Sequence, residues 1–339
     1  MKKIGIFVGD YSTSYGVKVI VEHAKHVLTN LEVIQNVNDV DKFDMVIPYG
    51  IIQVSTLVKY GRDEKMCAFM VDALSLGMIS DFARMLPYRF IPLKFKLKLL
   101  GRYFIYLYRE YVCLKNYDNI MLVSAYDKKY FVKHPIFRKF AKKIIIIPNG
   151  IDLKEINIKE RLVNNRSEIR IGCLSAWNDS AFYTLRIFLD EIWSKINSEG
   201  SMRLIIAGSK ITPDKEAILK QYDNVEVLGF VDTLDEFFDN IDISLITFLK
   251  KCGILNKILD SFAYKVPVLG RPQNFGAFEK IPDCFYTYVD RESFKTSVEH
   301  IMEHSLEAAK KVEKAYNYVQ EHHDWKKNYR KLECIINEN

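Results

Sequence analysis

No stretch of this 339-residue chain approaches the roughly 18 consecutive apolar residues that a membrane-crossing helix needs, which excludes a helical membrane-spanning protein. Cysteine is sparse and scattered: Cys67, Cys113, Cys173, Cys252, Cys284 and Cys334 lie far apart, with no C-x-x-C pair. That is neither a disulfide framework nor a zinc ribbon, and it points to a reducing compartment. Lys2 and Lys3 are followed by only a short apolar run before Asp10, so no secretory signal is expected. Neither a Walker A sequence nor G-x-G-x-x-G occurs, which removes the two commonest phosphate-cradling loops. No 20–50-residue repeat of the solenoid kind is present. Hydrophobic residues at 49% and charged residues at 27% exclude a disordered or collagen-like chain. The length suits two domains of about 150 residues, each with its own core.

Charge is unevenly placed. Residues 84–115 hold eight Lys or Arg against a single acid, Glu110. This +7 segment accounts for the whole net charge of +6 and leaves the rest of the chain at −1. Eight aromatic residues, among them Tyr88, Phe90, Phe95, Tyr103 and Phe104, are interleaved with the basic ones. Because Lys94, Lys96 and Lys98 alternate with Phe95 and Leu97, the segment reads as a partly irregular surface patch rather than a cleanly amphipathic helix. Three readings fit: phosphate contacts and base stacking on a nucleic acid, a solvated face, or docking on an anionic membrane through Arg89, Lys94, Lys96, Lys98 and Arg102. The membrane is favoured, since rings sit well among headgroups, and no nucleic-acid partner is expected.

Short apolar runs ending in Gly, Pro or Asp recur along the chain. KKIGIFVG (2–9), LEVIQNV, DMVIPYG, KMCAFMVD, NIMLVS (119–124) and KIIIIPNG (143–150) read as strands separated by helical or loop sequence, the first helix being VKVIVEHAKHVL (17–28). The polar stretch 159–168 reads as a linker. The pattern restarts with EIRIGCLS, followed by a long amphipathic helix, and then MRLIIAG, NVEVLGF, DISLITF, VPVLG and CFYTYVD. From about residue 291 the chain is helical and charged. Such alternation predicts α/β units with parallel sheets and crossover helices, which bind ligands at the carboxyl ends of their strands.

Two segments say more than fold class. IIIIPNGIDL (144–153) is an apolar strand ending in Pro-Asn-Gly-Ile-Asp, and CGILNKILDSFAYKVPVLG (252–270) is a Gly-containing loop, a helix and a strand. In this order and at this separation they resemble a GT-B glycosyltransferase of family 4 (glycosyl transferases group 1), as do GCLSAWNDSAFYTLRIFLDEIW (172–193), LIIAG, NVEVLGFVD and HDWKKNYRKL (323–332). The resemblance implies two Rossmann-like domains facing a cleft: 1–160 on the acceptor side, 161–315 holding the nucleotide sugar, and a terminal helix, 316–339, crossing back to the first. It implies a retaining transferase moving a sugar from a nucleotide donor, with UDP-sugar favoured and no cofactor, to a membrane-associated, lipid-linked glycan acceptor in surface polysaccharide or glycoconjugate synthesis. The location implied is cytoplasmic, peripheral on the inner face of the cell membrane. A non-catalytic GT-B partner subunit and a nucleotide-sugar epimerase of the same fold remain as alternatives.

The residues agree with that chemistry. Gly253 permits close backbone approach, and the helix opening near Ile254 presents unpaired N–H groups to a pyrophosphate. Lys257 adds a full charge. Asp260, one turn further on the same face, can accept from ribose hydroxyls, as the matching acid does in the family. Lys251, Leu255 and Asn256 complete this segment. Ser175, Ala176 and Trp177 stand where the family carries a basic residue; Ser175, Trp177 and the following Asn178 are donor-side candidates, as is Lys210 after the next strand. Counting back from Asp260 places Cys252, a weak hydrogen-bonding group, where the family has a sugar-contacting Glu. In the first domain Gly16, flanked by Tyr15, is what remains of a glycine pair. Asp72, ending MCAFMVD, is the candidate acceptor-side and catalytic residue, or else a helix N-cap. No divalent metal is expected: His300-x-x-Glu303-His304 lacks a third ligand, and Asp39-x-Asp41 falls in a polar loop.

Overall fold

A computed structural model of the chain describes all residues except 1–2, 11–14, 29, 62–66, 152, 154–167, 197–201 and 338–339. The chain divides into two units. The first comprises Met1–Gly150, Lys251–Ile254 and His322–Asn339; the second comprises Ile151–Lys250 and Leu255–Glu321. The sequence had placed the divisions at 160 and 315. The linker at 159–168 lies outside the described residues up to 167, as does Asp152 of the Pro-Asn-Gly-Ile-Asp turn.

Each of the twelve apolar runs is a strand. In the first unit β1 (Ile4–Phe7), β2 (Leu31–Ile34) and β3 (Met45–Pro48) form a parallel sheet in the order β2-β1-β3. A second parallel sheet runs β4 (Cys67–Val71), β5 (Asn119–Leu122) and β6 (Ile144–Ile146). A parallel bridge from Tyr49 to Phe69 and the Gly50 N–H bond to the Phe69 carbonyl join β3 to β4, giving the doubly wound order 2-1-3-4-5-6. In the second unit β7 (Ile169–Leu174), β8 (Met202–Ala207), β9 (Val225–Gly229), β10 (Ile243–Ile246), β11 (Val268–Gly270) and β12 (Tyr286–Thr287) make one parallel sheet, ordered β12-β11-β10-β7-β8-β9. The strands are apolar end to end because parallel sheets are covered on both faces.

The crossover helices of the first unit are α1 (Tyr15–Val27), α2 (Ile51–Tyr60), α3 (Leu74–Met85), α4 (Leu93–Asn116) and α5 (Ala125–Lys133). In the second unit, α6 (Asp179–Phe188) passes into a π turn at Leu189–Trp193.

From Leu93 onward the patch read as irregular is a regular 24-residue helix, while residues 86–92 form the turn between α3 and α4. Two residues along a helix are about 200° apart, so alternating lysines cannot share a face. Lys94 and Lys98 are exposed, whereas Lys96 points inward, is buried, and donates to the carbonyls of Leu86 (2.9 Å) and Tyr88 (2.8 Å). Lys96 thus ties the end of α3 to α4 and cannot reach a membrane. Glu110 is likewise turned inward and fully buried. It accepts from the Ser75 N–H at 2.8 Å and from the Ser75 hydroxyl, which also lies 2.9 Å from the Tyr130 hydroxyl. It thereby satisfies the start of α3, whose N-cap Ala73 has no side chain to do so. Burial raises the Glu110 carboxyl to about 7, against the opposing pull of those bonds.

The terminal helix Trp325–Asn337 belongs to the first unit. Trp325, Tyr329, Leu332 and Ile336 recur at helical spacing and enter the same core as Ile6, Val8 and Ile47. The Trp325 ring stacks on His23 with centroids 5.0 Å apart, and a methyl group on Gly150 would fall 2.6 Å from it. Just before the helix, buried His323 bonds through Nδ1 to the Asn149 carbonyl at 2.6 Å. Burial lowers this imidazole to about 4, the bond to Asn149 opposing. A lowered folded-state value means that the stability His323 confers is present above about pH 6.5 and is lost as pH falls through about 4, a change of about 2–3 kcal/mol. The His323→Gln variant is therefore expected to lose less stability than wild type between pH 6.5 and 4 in denaturant titrations. Identical acid sensitivity of the two proteins would reject this role.

Candidate functional site

Each unit holds its own cluster of candidate residues. In the second unit the helix Asn256–Ala263 follows β10 and is stitched to that strand by the buried Ser261 hydroxyl, which donates to the Lys257 carbonyl at 2.6 Å and is hydrogen-bonded with the Ser244 hydroxyl at 2.7 Å. This turns Lys257 toward the end of β7. Its Nζ donates to the Leu174 carbonyl at 2.9 Å and to Ser175 Oγ at 3.1 Å, and lies 4.0 Å from the centre of the Phe248 ring. Asn274 fixes the Phe248 backbone by donating to its carbonyl at 2.7 Å. Asp260 is one turn along on the same face. Desolvation dominates both charges. It lowers the Lys257 ammonium to about 8, Lys250 adding to the shift while Cys173 and Asp260 oppose it. It raises the Asp260 carboxyl to about 7, with Lys257 opposing. A desolvated cation and anion at the carboxyl end of a parallel sheet form a site suited to a ligand carrying both anionic and hydroxyl groups. The helix begins at Asn256 rather than Ile254, and its N-cap Leu255 offers no side-chain cap to the first-turn N–H groups.

The loops after β7 and β8 meet here without slack. Gly208 has φ 127°, and a methyl group on it would fall 1.8 Å from the Ser175 carbonyl oxygen. The Ser175 N–H bonds to the Ala207 carbonyl at 3.1 Å, and the Trp177 N–H to the Ser209 carbonyl at 2.8 Å. Gly208 was not singled out from the sequence, although a glycine closing the strand LIIAG was a visible signal. Lys210 is exposed on this turn, with φ 65°.

Two expected ligand contacts are corrected. Trp177 is 1% exposed, and its indole N–H is taken by the Ala207 carbonyl at 2.9 Å, so it belongs to the core. Asn178 caps α6, accepting from the Ala181 N–H at 3.1 Å.

In the first unit the cluster gathers around Lys251–Ile254. Cys252 is buried, its sulfur filling a notch where a methyl group on Gly77 would fall 2.6 Å away. It is a core residue, not the expected sugar contact. Gly253 has φ 71°, and a methyl group on it would fall 2.3 Å from an Asp72 carboxylate oxygen. The glycine is thus required by the protein's own carboxylate. Its N–H donates to Asp127, 2.9 and 3.1 Å from the two carboxylate oxygens, and Asp127 is fully buried. Asp127 carried no sequence signal. Asp72 is half-buried and does not cap α3; the cap residue is Ala73. Asp72 follows Val71, whose φ of 74° strains a β-branched residue by about 1–3 kcal/mol. Tyr49, buried nearby, has its phenol held well above the ordinary range by burial, then by Tyr329 and Asp72. Lys251 and Ile254 are half-buried, Leu255 buried and Asn256 exposed. Tyr15 and Gly16 open α1, but their surroundings lie outside the described side chains.

Among the described residues no group of three or more His, Cys, Asp or Glu could hold a metal ion. His300 pairs with Glu307 at 3.3 Å, Asp39 with Lys42 at 2.5 Å, and Asp41 accepts from the Tyr60 hydroxyl at 2.9 Å. No helix among the described residues is long and apolar enough to cross a membrane.

Residues 168–304 match the family model described as glycosyl transferases group 1. No curated protein matches the sequence. Solved structures of similar fold include HepE (Alr3699) of Anabaena in complex with UDP, 10% identical over 99% of this chain and 100% of that one, with a TM-score of 0.70. HepE is also solved with UDP-glucose. Sucrose-phosphate synthase of Thermosynechococcus elongatus is 11% identical over 99% of both chains, with a TM-score of 0.71. TarM of S. aureus, in a complex that includes UDP, is 11% identical over 87% of this chain and 55% of that one, with a TM-score of 0.61. At these identities the likeness is one of fold.

Proposed function

We propose that the chain, whose residues 168–304 match the group 1 glycosyltransferase model, is a GT-B glycosyltransferase of that type and transfers a sugar from a UDP-sugar to a membrane-associated, lipid-linked glycan, with retention, at the inner face of the cell membrane. The observation that carries the donor reading is the Lys257–Asp260 pair at the end of β7 and β10. Lys257 and the first-turn N–H groups of its helix meet the diphosphate, and Asp260 accepts from ribose hydroxyls. HepE, bound to UDP and to UDP-glucose on a similar fold, supports uridine as the base. In front-face transfer the departing phosphate takes the acceptor's proton, so no strong protein base is required. Asp72 stands as the acceptor-side residue.

The membrane reading draws on the outer face of α4. Leu93, Leu97, Phe104 and Tyr108 are all more than half exposed and, at steps of four, seven and four residues, share one face of the helix. Lys94, Lys98 and Arg102, also exposed, form the neighbouring row. An anionic bilayer accommodates both, with apolar groups at the headgroup boundary and cations on phosphates. Lys94→Gln combined with Lys98→Gln is expected to reduce partitioning onto anionic liposomes about thirtyfold at low salt, roughly 1 kcal/mol per charge. High salt should have the same effect. Equal co-sedimentation of the two proteins at low salt would remove this support for a lipid-linked acceptor.

The donor is tested by thermal shift against UDP, GDP, CDP and their sugars. A ligand at 100 times Kd adds about 2.7 kcal/mol of stability. UDP release is then followed with and without acceptor, and is expected to be insensitive to EDTA because helix N–H groups and Lys257 take the place of a metal. The burial of Cys252, where the family has a sugar-contacting Glu, favours one second reading, a nucleotide-binding partner subunit. Binding without turnover would establish it, and acceptor-independent turnover would point to an epimerase.

A further inference from the structure

Asp127 lies in the first turn of α5, remote in sequence from every motif of the site, yet it holds the turn that leads into the helix of Lys257 and Asp260. Both carboxylate oxygens are within reach of one donor, the Gly253 N–H. Asp72 closes the opposite side of that glycine, and the Cys252 sulfur locks the preceding residue into the notch over Gly77. Gly253 at φ 71° is therefore held by a bond on one side and walled by a carboxylate on the other. We infer that Asp127 is a positioning residue of the donor site, setting the backbone of Lys251–Ile254 before the donor arrives. This rests on the reading that the helix starting three residues beyond Gly253 holds a nucleotide sugar. A loop released from the Asp127 bond must be ordered anew by each ligand, which weakens binding.

The test compares Asp127→Ala with Asp127→Asn, whose amide carbonyl still accepts from the Gly253 N–H; Asp127→Ser, too short to reach it, replaces the alanine variant if that does not fold. Two quantities are read: hydrogen exchange of the Gly253 amide, and KM and kcat for UDP-glucose or whichever nucleotide sugar stabilises the wild type. Asp127→Ala is expected to speed exchange at Gly253 at least tenfold and to raise the donor KM about tenfold, with kcat changed less than threefold. Asp127→Asn is expected to restore both readings to within threefold of wild type. Faster exchange with an unchanged donor KM would reduce Asp127 to a fold residue and overturn the inference. Unchanged exchange would overturn it as well, since the bond would not be what holds the turn. Failure of the functional reading is recognised separately, because the wild type itself would then bind no nucleotide sugar.

Discussion

Replacing Gly208 by alanine is expected to remove at least about 3 kcal/mol of stability and, with it, nucleotide binding. Two effects add. An L side chain at φ 127° is strained whatever space surrounds it. The added methyl group would also fall 1.8 Å from the Ser175 carbonyl oxygen, well inside contact distance. A flexible side chain could rotate away, but this obstacle is backbone, pinned by the Ser175 N–H bond to the Ala207 carbonyl and by the Gly208 N–H bond to the Gly229 carbonyl at 2.6 Å. Relief requires the β7 and β8 loops to separate, which displaces Ser175 from Lys257. Gly61 provides the control. It has φ 81°, but no atom of the described residues lies within 4 Å of where its methyl group would be, so Gly61→Ala is expected to cost only about 1 kcal/mol. Denaturant titration of the two variants checks this. Equal midpoints would mean that the close approach of the two loops carries no energetic weight.

Lys257→Ala is expected to lower affinity for the nucleotide sugar by about a hundredfold, near 3 kcal/mol, the upper end for a charge-assisted bond in a desolvated site. The pH dependence is more specific. On the proposed donor site, binding is expected to need Lys257 charged, which holds below about pH 8, and Asp260 ionised, which holds above about pH 7. Affinity in the wild type should therefore peak between those values and fall on either side. Lys257→Ala should lose the alkaline limb and keep the acid one, while Asp260→Asn should do the reverse. For the unliganded protein, the raised carboxyl of Asp260 contributes stability that is fully present below about pH 4 and is lost as pH rises through about 7. Calorimetric titration across pH 6–9 measures these limbs, and a flat profile in the wild type would sink the assignment of the pair.

The twelve strands, the doubling of the α/β unit and the helix of Lys257 and Asp260 were legible in the residues alone, because each rests on local information. Apolar runs bounded by Gly, Pro or Asp define buried parallel strands, and a spacing of three places two charges on one helix face whatever surrounds them. What depended on distant partners was not legible. Lys94, Lys96 and Lys98 look equivalent in sequence; only the packing of α4 on the end of α3 decides that Lys96 serves two carbonyls while its neighbours face outward. Trp177 and Cys252 were expected from the resemblance to meet a ligand, yet the space around each is filled by the protein itself, by the Ala207 carbonyl and the notch over Gly77. Asp127 and Gly253 are 126 residues apart, and no local pattern encodes a bond between them. A sequence states which side chains carry charge and with what period they recur. Whether a charge meets solvent, a carbonyl or a ligand depends on which other segments come within about 3 Å, and that is set by the folded chain.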